Sequence, residues 1–312
     1  MAERKKHFDL IRRGEKKPTL LGTLTFVGLR LADIPLQHTL LSHSSPTSSA
    51  PGGLGVRILT SLGLRTIFTH TSTALPSSLL LPITALTSSP SSRSGYAALG
   101  WMAPLATLTP TSLILLLMSA GSTAKQLYWH LALSQDSFPA PAAAAVSGYN
   151  TFVNSANALL FLALGTTSLL SRPRISFPFP STTSATPTEV FTLPLSTIVG
   201  TLLYVAGMAI ETISERQRAE FKSRVENKGK VCTEGLWRWA RHVNYFGYAL
   251  WRGGYCMVGS GWVGGLVMGV WQGWDLSSRA VEVNDEYCSN KYGEQWARFK
   301  REVPYRIVPG VY

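Results

Sequence analysis

The chain has 312 residues, of which 45% are hydrophobic and only 15% charged, and its mean hydropathy is +0.11. This composition is too apolar and too poor in charge for an ordinary soluble protein, so we predict an integral membrane protein. The net charge of +12 does not indicate nucleic acid binding, because the basic residues form short runs beside apolar segments, as cytoplasmic membrane flanks do.

The apolar segments, taken in chain order, predict an all-α fold, a polytopic helical bundle in the membrane. A basic cytoplasmic tail (1–18) precedes N-terminal transmembrane helices (19–210) and a C-terminal region (211–312). The predicted spans are 19–41, 54–86 as one long or two short helices, 96–118, 149–170, 190–213 and 245–274. An amphipathic or partly buried helix is predicted at 125–145, and a span over 122–146 is the alternative to two short spans within 54–86. Residues 171–189 are rich in Pro, Ser and Thr and are predicted to be a disordered loop.

Several polar residues lie inside these spans and would be costly if they faced lipid. Arg30 and Asp33 are therefore expected to face other helices or the interface. Asn150, Asn154 and Asn157 fall on one helical face, which should point at protein or at a polar cavity.

The glycine-rich span 245–274 predicts a tight helical hairpin or two closely packed spans. It contains GSGWVGG, which matches GxGxxG but lacks the preceding strand and the acidic residue of a dinucleotide-binding unit. The three cysteines, Cys232, Cys256 and Cys288, are far apart and form no CxxC pair. We expect no disulfide framework and no metal site.

Residues 211–256 join a charged segment to an apolar one and are the centre of the functional prediction. On a helix, Glu211, Glu215, Arg218 and Lys222 share one face, at steps of four, three and four. The two cations lie one turn apart and suit a phosphate, although a solvated or headgroup-facing surface fits the spacing equally well.

Two further elements follow within the same segment. The ENKGK sequence (226–230) predicts a Gly turn flanked by lysines, whose backbone can approach a phosphate closely. In GLWRWARHVNYFG, Arg241 and Tyr245 share a helical face, and Trp237 is available for stacking. Together these cations, aromatic rings and amides favour a nucleotide ligand.

The C-terminal residues 281–312 predict an amphipathic helix that docks on the membrane domain. Tyr292, Trp296, Phe299 and Val303 recur at helical spacing. Pro304 and Pro309 end the regular structure and predict an extended terminus.

These motifs resemble those of the membrane-embedded steroid 5-alpha-reductase-like and sterol-reductase proteins, whose C-terminal region carries QKxxF, NKGK, GLWxxxRHPNYFGE and VPYRxxPxxY. The matching residues are Gln217, Arg218, Phe221, 227–230, 235–237, Arg241, His242, 244–247, 303–306, Pro309 and Tyr312, about the last third of the chain. The resemblance implies an all-helical fold and a cytoplasm-facing NADPH pocket. By that analogy the cofactor site is lined by Arg218, Lys222, Lys230, Trp237, Arg241, His242, Asn244, Tyr245 and Tyr292.

The sequence departs from the family pattern at four positions. Val243 replaces the proline after the histidine, Tyr248 replaces the acidic residue after NYFG, and Arg218 replaces the lysine of QK. The acid that the pattern places four residues before Cys288 stands one place later, at Asp285.

The predicted function is an NADPH-dependent reductase of a carbon–carbon double bond in a lipid or steroid-like substrate held by the apolar spans. Tyr245 is the expected proton donor and Asp285 an orienting acid. Two alternatives stay open: a membrane methyltransferase that uses S-adenosylmethionine, because isoprenylcysteine methyltransferases resemble this fold, and a non-enzymatic protein that kept the fold. The expected location is the membrane, that of the endoplasmic reticulum, and the sequence leaves the substrate and the oligomeric state open.

Overall fold

The computed structural model describes residues 19–42, 52–68, 108–134, 137–170, 172–179 and 189–312, and these residues are predominantly helical. The predicted tail 1–18, much of the predicted spans 54–86 and 96–118, and the middle of the predicted loop 171–189 lie outside them. The helices are α1 (Leu20–Leu41), α2 (Leu54–Ser61), α3 (Pro110–Tyr128), α4 (Ala140–Leu162), α5 (Leu164–Leu170), α6 (Leu195–Ser223), α7 (Val243–Asp275), α8 (Val281–Tyr292) and α9 (Glu294–Glu302).

A two-stranded antiparallel ribbon departs from the all-α prediction. Its strands are β1 (Arg174–Phe179) and β2 (Glu189–Pro194), and Arg174 pairs with Pro194. The prediction of a disordered loop over 171–189 is therefore wrong at both ends, and the predicted span 190–213 begins as a strand. The signal was a period of two in Arg-Ile-Ser-Phe-Pro-Phe, which the Pro, Ser and Thr content of the segment concealed.

The helices on either side of residue 134 differ from the predicted boundaries. α3 starts at Pro110, where Thr109 accepts a hydrogen bond from the Ser112 amide at 3.1 Å, and it continues to Tyr128. The helix predicted at 125–145, or as a span over 122–146, is not continuous, because a π turn follows α3 and α4 begins at Ala140. Pro141 lies in the first turn of α4, the position in which a helix tolerates proline.

The main helix pair of the bundle, α6 and α7, packs through glycines at close backbone distance. A Cβ atom on Gly207 would overlap the backbone of Trp251 and Gly247, and a Cβ on Gly254 would overlap that of Gly200. This approach allows the large side chain of Trp251 to be fully buried beside Tyr204. The pair carries the C-terminal part of α6 and the start of α7 to the same end of the bundle.

Replacing Gly207 with alanine is expected to destabilise the protein by about 1–3 kcal/mol, because α6 and α7 must separate to admit the methyl group. Gly273→Ala is the matched control, since an added Cβ there meets nothing within 4 Å. We expect the unfolding temperature in detergent to fall for the first variant and to stay level or rise for the second. Equal behaviour of the two variants would contradict close packing of α6 on α7.

α7 consists of two arms that fold back on each other, as the glycine content predicted. Ser260 and Gly261 have non-helical backbone angles, and Gly261 has φ of 69°. A Cβ on Gly253 would lie 3.1 Å from the carbonyl oxygen of Gly265, although twelve residues of continuous helix would span about 18 Å. The GxGxxG-like sequence therefore forms the turn of this hairpin.

The polar side chains of the predicted spans face the protein interior, as expected. Arg30 and Asp33 are both fully buried and form an ion pair at 3.1 Å. Asn154 donates to the same carboxylate at 2.7 Å, and Asn150 and Asn157 are only 2% exposed. By length and composition, α6 is the one helix in the described ranges that qualifies to cross a bilayer.

Candidate functional site

The candidate site lies at the end of the bundle where α6 stops and α7 begins. Residues 224–242 connect the two helices through short 3-10 turns, Val225–Asn227 and Gly235–Arg238. Gly229 and Gly235 have φ of 78° and 60°, in the left-handed region that favours glycine. The side chain of Gln217 fills the space beside Gly235 and accepts a hydrogen bond from the Leu236 amide at 2.9 Å, which fixes the connection against α6.

Three of the predicted cofactor residues meet where the connection passes α8. The ammonium group of Lys222 donates to the backbone carbonyl of Lys230 and to the hydroxyl of Tyr292 at 3.0 Å. The same ammonium lies 4.7 Å from the centroid of the Tyr292 ring. The end of α6, the connection that follows it and the distant α8 thus place two lysines and a tyrosine at one exposed corner, which we call the lysine corner.

A second group lies one turn back along α6. The buried carboxylate of Glu215 accepts hydrogen bonds from Arg218 at 2.6 Å and from the side-chain amide of Asn244 at 2.8 Å. The Arg218 guanidinium lies 5.4 Å from the centroid of the Trp237 ring, and 45% of its side chain is exposed. Trp237 itself is buried, and its indole nitrogen donates to the Ser214 carbonyl at 2.8 Å.

Arg241 anchors the C-terminal tail to the start of α7. Its guanidinium donates to the carbonyls of Val303 at 2.8 Å and Pro304 at 3.1 Å, just past the end of α9. Its backbone amide donates to the Tyr305 carbonyl at 3.0 Å. Burial lowers the pKa of Arg241, and the charge of Asp285 acts in the opposite direction. In the described structure this arginine therefore serves the tail, and a contact with a cofactor stays a prediction.

The tail is not the single amphipathic helix followed by an extended terminus that the sequence predicted. Gly293, with φ of 52°, separates α8 from α9. The apolar face of α9 is nevertheless buried as predicted, with Trp296 and Phe299 packed against Val231. After α9 the last residues turn back, and the Ile307 amide donates to the Tyr312 carbonyl at 2.8 Å.

His242 and Tyr245 form a stacked pair at the start of α7. Their ring centroids are 5.3 Å apart with an interplanar angle of 9°, and Trp296 approaches His242 edge-on. The hydroxyl of Tyr245 accepts a hydrogen bond from the side-chain amide of Asn284 on α8. The two predicted residues are thus brought together, and Asn284 joins them.

Asp285 points toward α9. Its carboxylate accepts hydrogen bonds from the Trp296 indole at 2.7 Å and from Lys300 at 3.2 Å. Burial by itself would raise the pKa of Asp285, but these two hydrogen bonds, together with the charges of Lys300 and Arg241, lower it. Asp285 therefore holds α8 and α9 together as a carboxylate.

Asn284 is the residue that sequence reasoning missed, and a signal for it existed. It stands four residues before Cys288, where the family pattern has its acid, whereas Asp285 was chosen for its charge. On a helix a shift of one residue turns a side chain by about 100°, so Asn284 and Asp285 face different neighbours.

The other departures from the family pattern also have structural contexts. Val243 is the first residue of α7 and is fully buried, and a first helical position accepts proline or another residue without loss of a backbone hydrogen bond. Tyr248 faces Arg252, whose guanidinium donates to its hydroxyl at 3.3 Å. Neither substitution disturbs the start of α7.

Beneath the site, a buried ion pair connects α3 with α6. Glu211 pairs with Lys125 and also accepts a hydrogen bond from the Trp251 indole at 2.6 Å. The predicted face of Glu211, Glu215, Arg218 and Lys222 lies on one continuous helix, as expected. Its first residue points into the core, however, and the last two reach the solvent-exposed site.

Comparison with known proteins finds three kinds of similarity. Residues 149–302 match a family described as "Protein of unknown function (DUF1295)". A protein of Ustilaginoidea virens named probable O-methyltransferase ustE is 27% identical over 286 residues, which are 91% of this chain and 84% of that protein. A Delta(14)-sterol reductase of Neurospora crassa is 30% identical over 159 residues, and Delta(14)-sterol reductase erg24 of Schizosaccharomyces pombe is 37% identical over 84 residues.

The sterol reductase similarity is partial in extent. It covers 36% of this chain and 32% of the Neurospora protein, and 27% of this chain and 20% of the Schizosaccharomyces protein. Part of this chain is thus similar to sterol reductases, whereas the similarity to the protein named as an O-methyltransferase extends over most of it.

Proposed function

We propose that this protein is a membrane-embedded, NADPH-dependent reductase of a carbon–carbon double bond in a lipid or steroid-like substrate. The observation that carries the proposal is the lysine corner beside Arg218: separate motifs of the resemblance converge on one exposed, positively charged surface with aromatic neighbours. The similarity to sterol reductases supports oxidoreductase chemistry in lipid metabolism.

The chemistry of this surface fits a phosphorylated dinucleotide. Lys222, Lys230 and Arg218 would hold its phosphates, since ammonium and guanidinium groups pair with phosphate oxygens. His242, Asn244 and Tyr292 would contribute hydrogen bonds and ring contacts. When bound, NADPH supplies the hydride for reduction.

Tyr245 is the proposed proton donor. Its phenol oxygen accepts a hydrogen bond from Asn284, and the phenol O–H is the group that would protonate a substrate carbon. Stacking against His242 fixes the ring. Asp285 is proposed to orient the site indirectly, by locking α9 against α8 and Trp296 against His242.

The bundle is proposed to be polytopic in the endoplasmic reticulum membrane, with the site on the cytoplasmic side. Large apolar side chains are exposed on several helices, a surface that water would disfavour and lipid would cover. They include Leu20, Leu21, Leu24, Phe152, Leu202, Val205, Leu266, Val267, Val270 and Trp274.

Replacing Lys222 with methionine is expected to weaken NADPH binding by about 10-fold, because one charge-assisted contact with a phosphate is lost. Arg298→Gln is the matched control: it also removes one positive charge, but Arg298 lies on α9, pairs with Glu302, and is 75% exposed. Binding is measured by NADPH fluorescence with purified full-length protein in detergent. Unchanged affinity in Lys222→Met would count against this surface as the phosphate site.

A second candidate, a membrane O-methyltransferase, is favoured by the relative that covers 91% of this chain. S-adenosylmethionine carries no phosphate, so the cations of the lysine corner would have no corresponding role. Under this candidate Lys222→Met leaves the affinity for S-adenosylmethionine unchanged, and the wild-type protein does not bind NADPH.

A further inference from the structure

Arg252 is a charged residue in the interior of the bundle that is only partly satisfied by its neighbours. It is fully buried, and its Nη2 donates to the side-chain oxygens of Asn150 and Tyr248. Its Nε and Nη1 make no hydrogen bond to any residue that the structure describes. Aromatic rings surround the guanidinium, with the centroid of Trp251 at 4.3 Å and that of Tyr149 at 5.5 Å.

The buried carboxylates of the neighbouring helices are already committed to other cations. Asp33 pairs with Arg30 on α1, and Glu211 pairs with Lys125 between α6 and α3. Among the described residues, the positive charge of Arg252 therefore has no carboxylate partner in this part of the core. An uncompensated buried charge is costly, and aromatic faces offset only part of the cost.

Arg252 also lies in line with the proposed reaction site. Tyr245, Tyr248 and Arg252 follow one another on α7 at steps of three and four, and therefore occupy one helical face. Seven residues of helix separate the Tyr245 level from the Arg252 level by roughly 10 Å. Arg252 thus lies deeper in the bundle than Tyr245, on the same face of α7.

An apolar groove begins about one helical turn from this position, on the side away from Tyr245. It has a volume of about 270 Å³ and lies between α4 and the two arms of α7, with Phe152, Asn157, Cys256 and Trp271 in its lining. Cys256 is one turn from Arg252 on the same arm, and the Trp271 ring is 6.4 Å from that of Tyr149, which contacts the guanidinium. Asn157 is 2% exposed, and its side chain faces the thiol of Cys256.

We propose that Arg252 binds the carboxylate of an apolar ligand whose hydrocarbon part occupies the groove between α4 and α7. One excess positive charge matches a monoanion, whereas a phosphate monoester carries a charge of about −1.5 to −2 at neutral pH and would leave negative charge uncompensated. The open donors of Arg252 supply the charge-assisted hydrogen bonds that a carboxylate requires. This inference goes beyond the proposed function: the groove extends from Arg252 away from Tyr245, so the binding of a carboxylate there does not depend on the reduction.

The test compares dodecanoate with dodecanol, two probes of equal chain length, by their effect on the unfolding temperature of purified full-length protein. Wild-type protein is expected to bind dodecanoate at least about 10-fold more tightly than dodecanol. Arg252→Met should lose this preference, and without ligand it should unfold at the same temperature as wild type or higher, because a buried charge has been removed. Arg298→Gln, which removes an exposed charge, should keep the preference.

Equal binding of the two probes by wild-type protein overturns the proposal, and so does an unchanged preference in Arg252→Met. If Arg252→Met does not fold, the same comparison of probes is made with Arg252→Lys. This variant keeps the positive charge and should keep most of the preference for dodecanoate. Loss of the preference in Arg252→Lys would also overturn the proposal. NADPH titration of the same preparations separates the two ideas. If wild-type protein binds NADPH but shows no preference for dodecanoate, this inference alone is contradicted. If it prefers dodecanoate but does not bind NADPH, the proposed function alone is contradicted.

Discussion

Arg241→Ala is expected to release the C-terminal tail and to destabilise the protein by about 3 kcal/mol, because the buried carbonyl of Val303 and the partly buried carbonyl of Pro304 lose their donor. The unfolding temperature should fall by roughly 5–10 °C. Trypsin should cleave after Lys300 and Arg306 faster than in wild-type protein, since the segment is no longer held against α7.

NADPH affinity should fall together with the tail contact, because Trp296 on α9 packs against His242 in the proposed cofactor site. Arg298→Gln is again the control and should leave both tail cleavage and stability unchanged. If NADPH binding is lost in Arg241→Ala while the tail stays resistant to trypsin, Arg241 contacts the cofactor directly, and its role as a tail anchor is not the reason for its effect.

Glu211→Ala is expected to cost about 3–5 kcal/mol, because it leaves the buried ammonium of Lys125 without its partner. The Trp251 indole loses its acceptor in the same substitution. Glu220→Ala on the exposed side of α6 is the control, with 74% of its side chain exposed and an expected effect of less than about 1 kcal/mol.

The double variant Lys125→Met with Glu211→Leu should recover most of the loss, since no charge then remains buried at this place. Thermal unfolding in detergent compares wild type, Glu211→Ala, Glu220→Ala and the double variant. A Glu211→Ala variant as stable as Glu220→Ala would show that the pair is not an element of the core.

The parts of the fold that follow local periodicity could be predicted from the sequence. Asn150, Asn154 and Asn157 recur at steps of four and three and are all buried, because a helical face that carries amides inside an apolar span must face protein. The glycines of α7 indicated a hairpin for a similar reason, since only glycine lets two helix backbones approach so closely. The polytopic arrangement itself stays a prediction.

The parts of the site that depend on contacts between residues far apart in the sequence could not be predicted. Arg241 meets the carbonyl of Val303 62 residues later, and nothing in its own motif indicates that it holds the tail. The choice of Asp285 over Asn284 favoured charge over helical register, and the structure gives the contact with Tyr245 to Asn284. The ribbon of β1 and β2 was not predicted for a different reason. The Pro, Ser and Thr content of residues 171–189 indicates a loop, and the two-residue alternation of side chains in β1 is short by comparison.

The most direct measurement of the central claim is a parallel titration of purified full-length protein with NADPH and with S-adenosylmethionine. We predict that NADPH binds, that its affinity falls as salt concentration rises because cations hold its phosphates, and that S-adenosylmethionine does not compete. Binding of S-adenosylmethionine without binding of NADPH would contradict the reductase and support the methyltransferase.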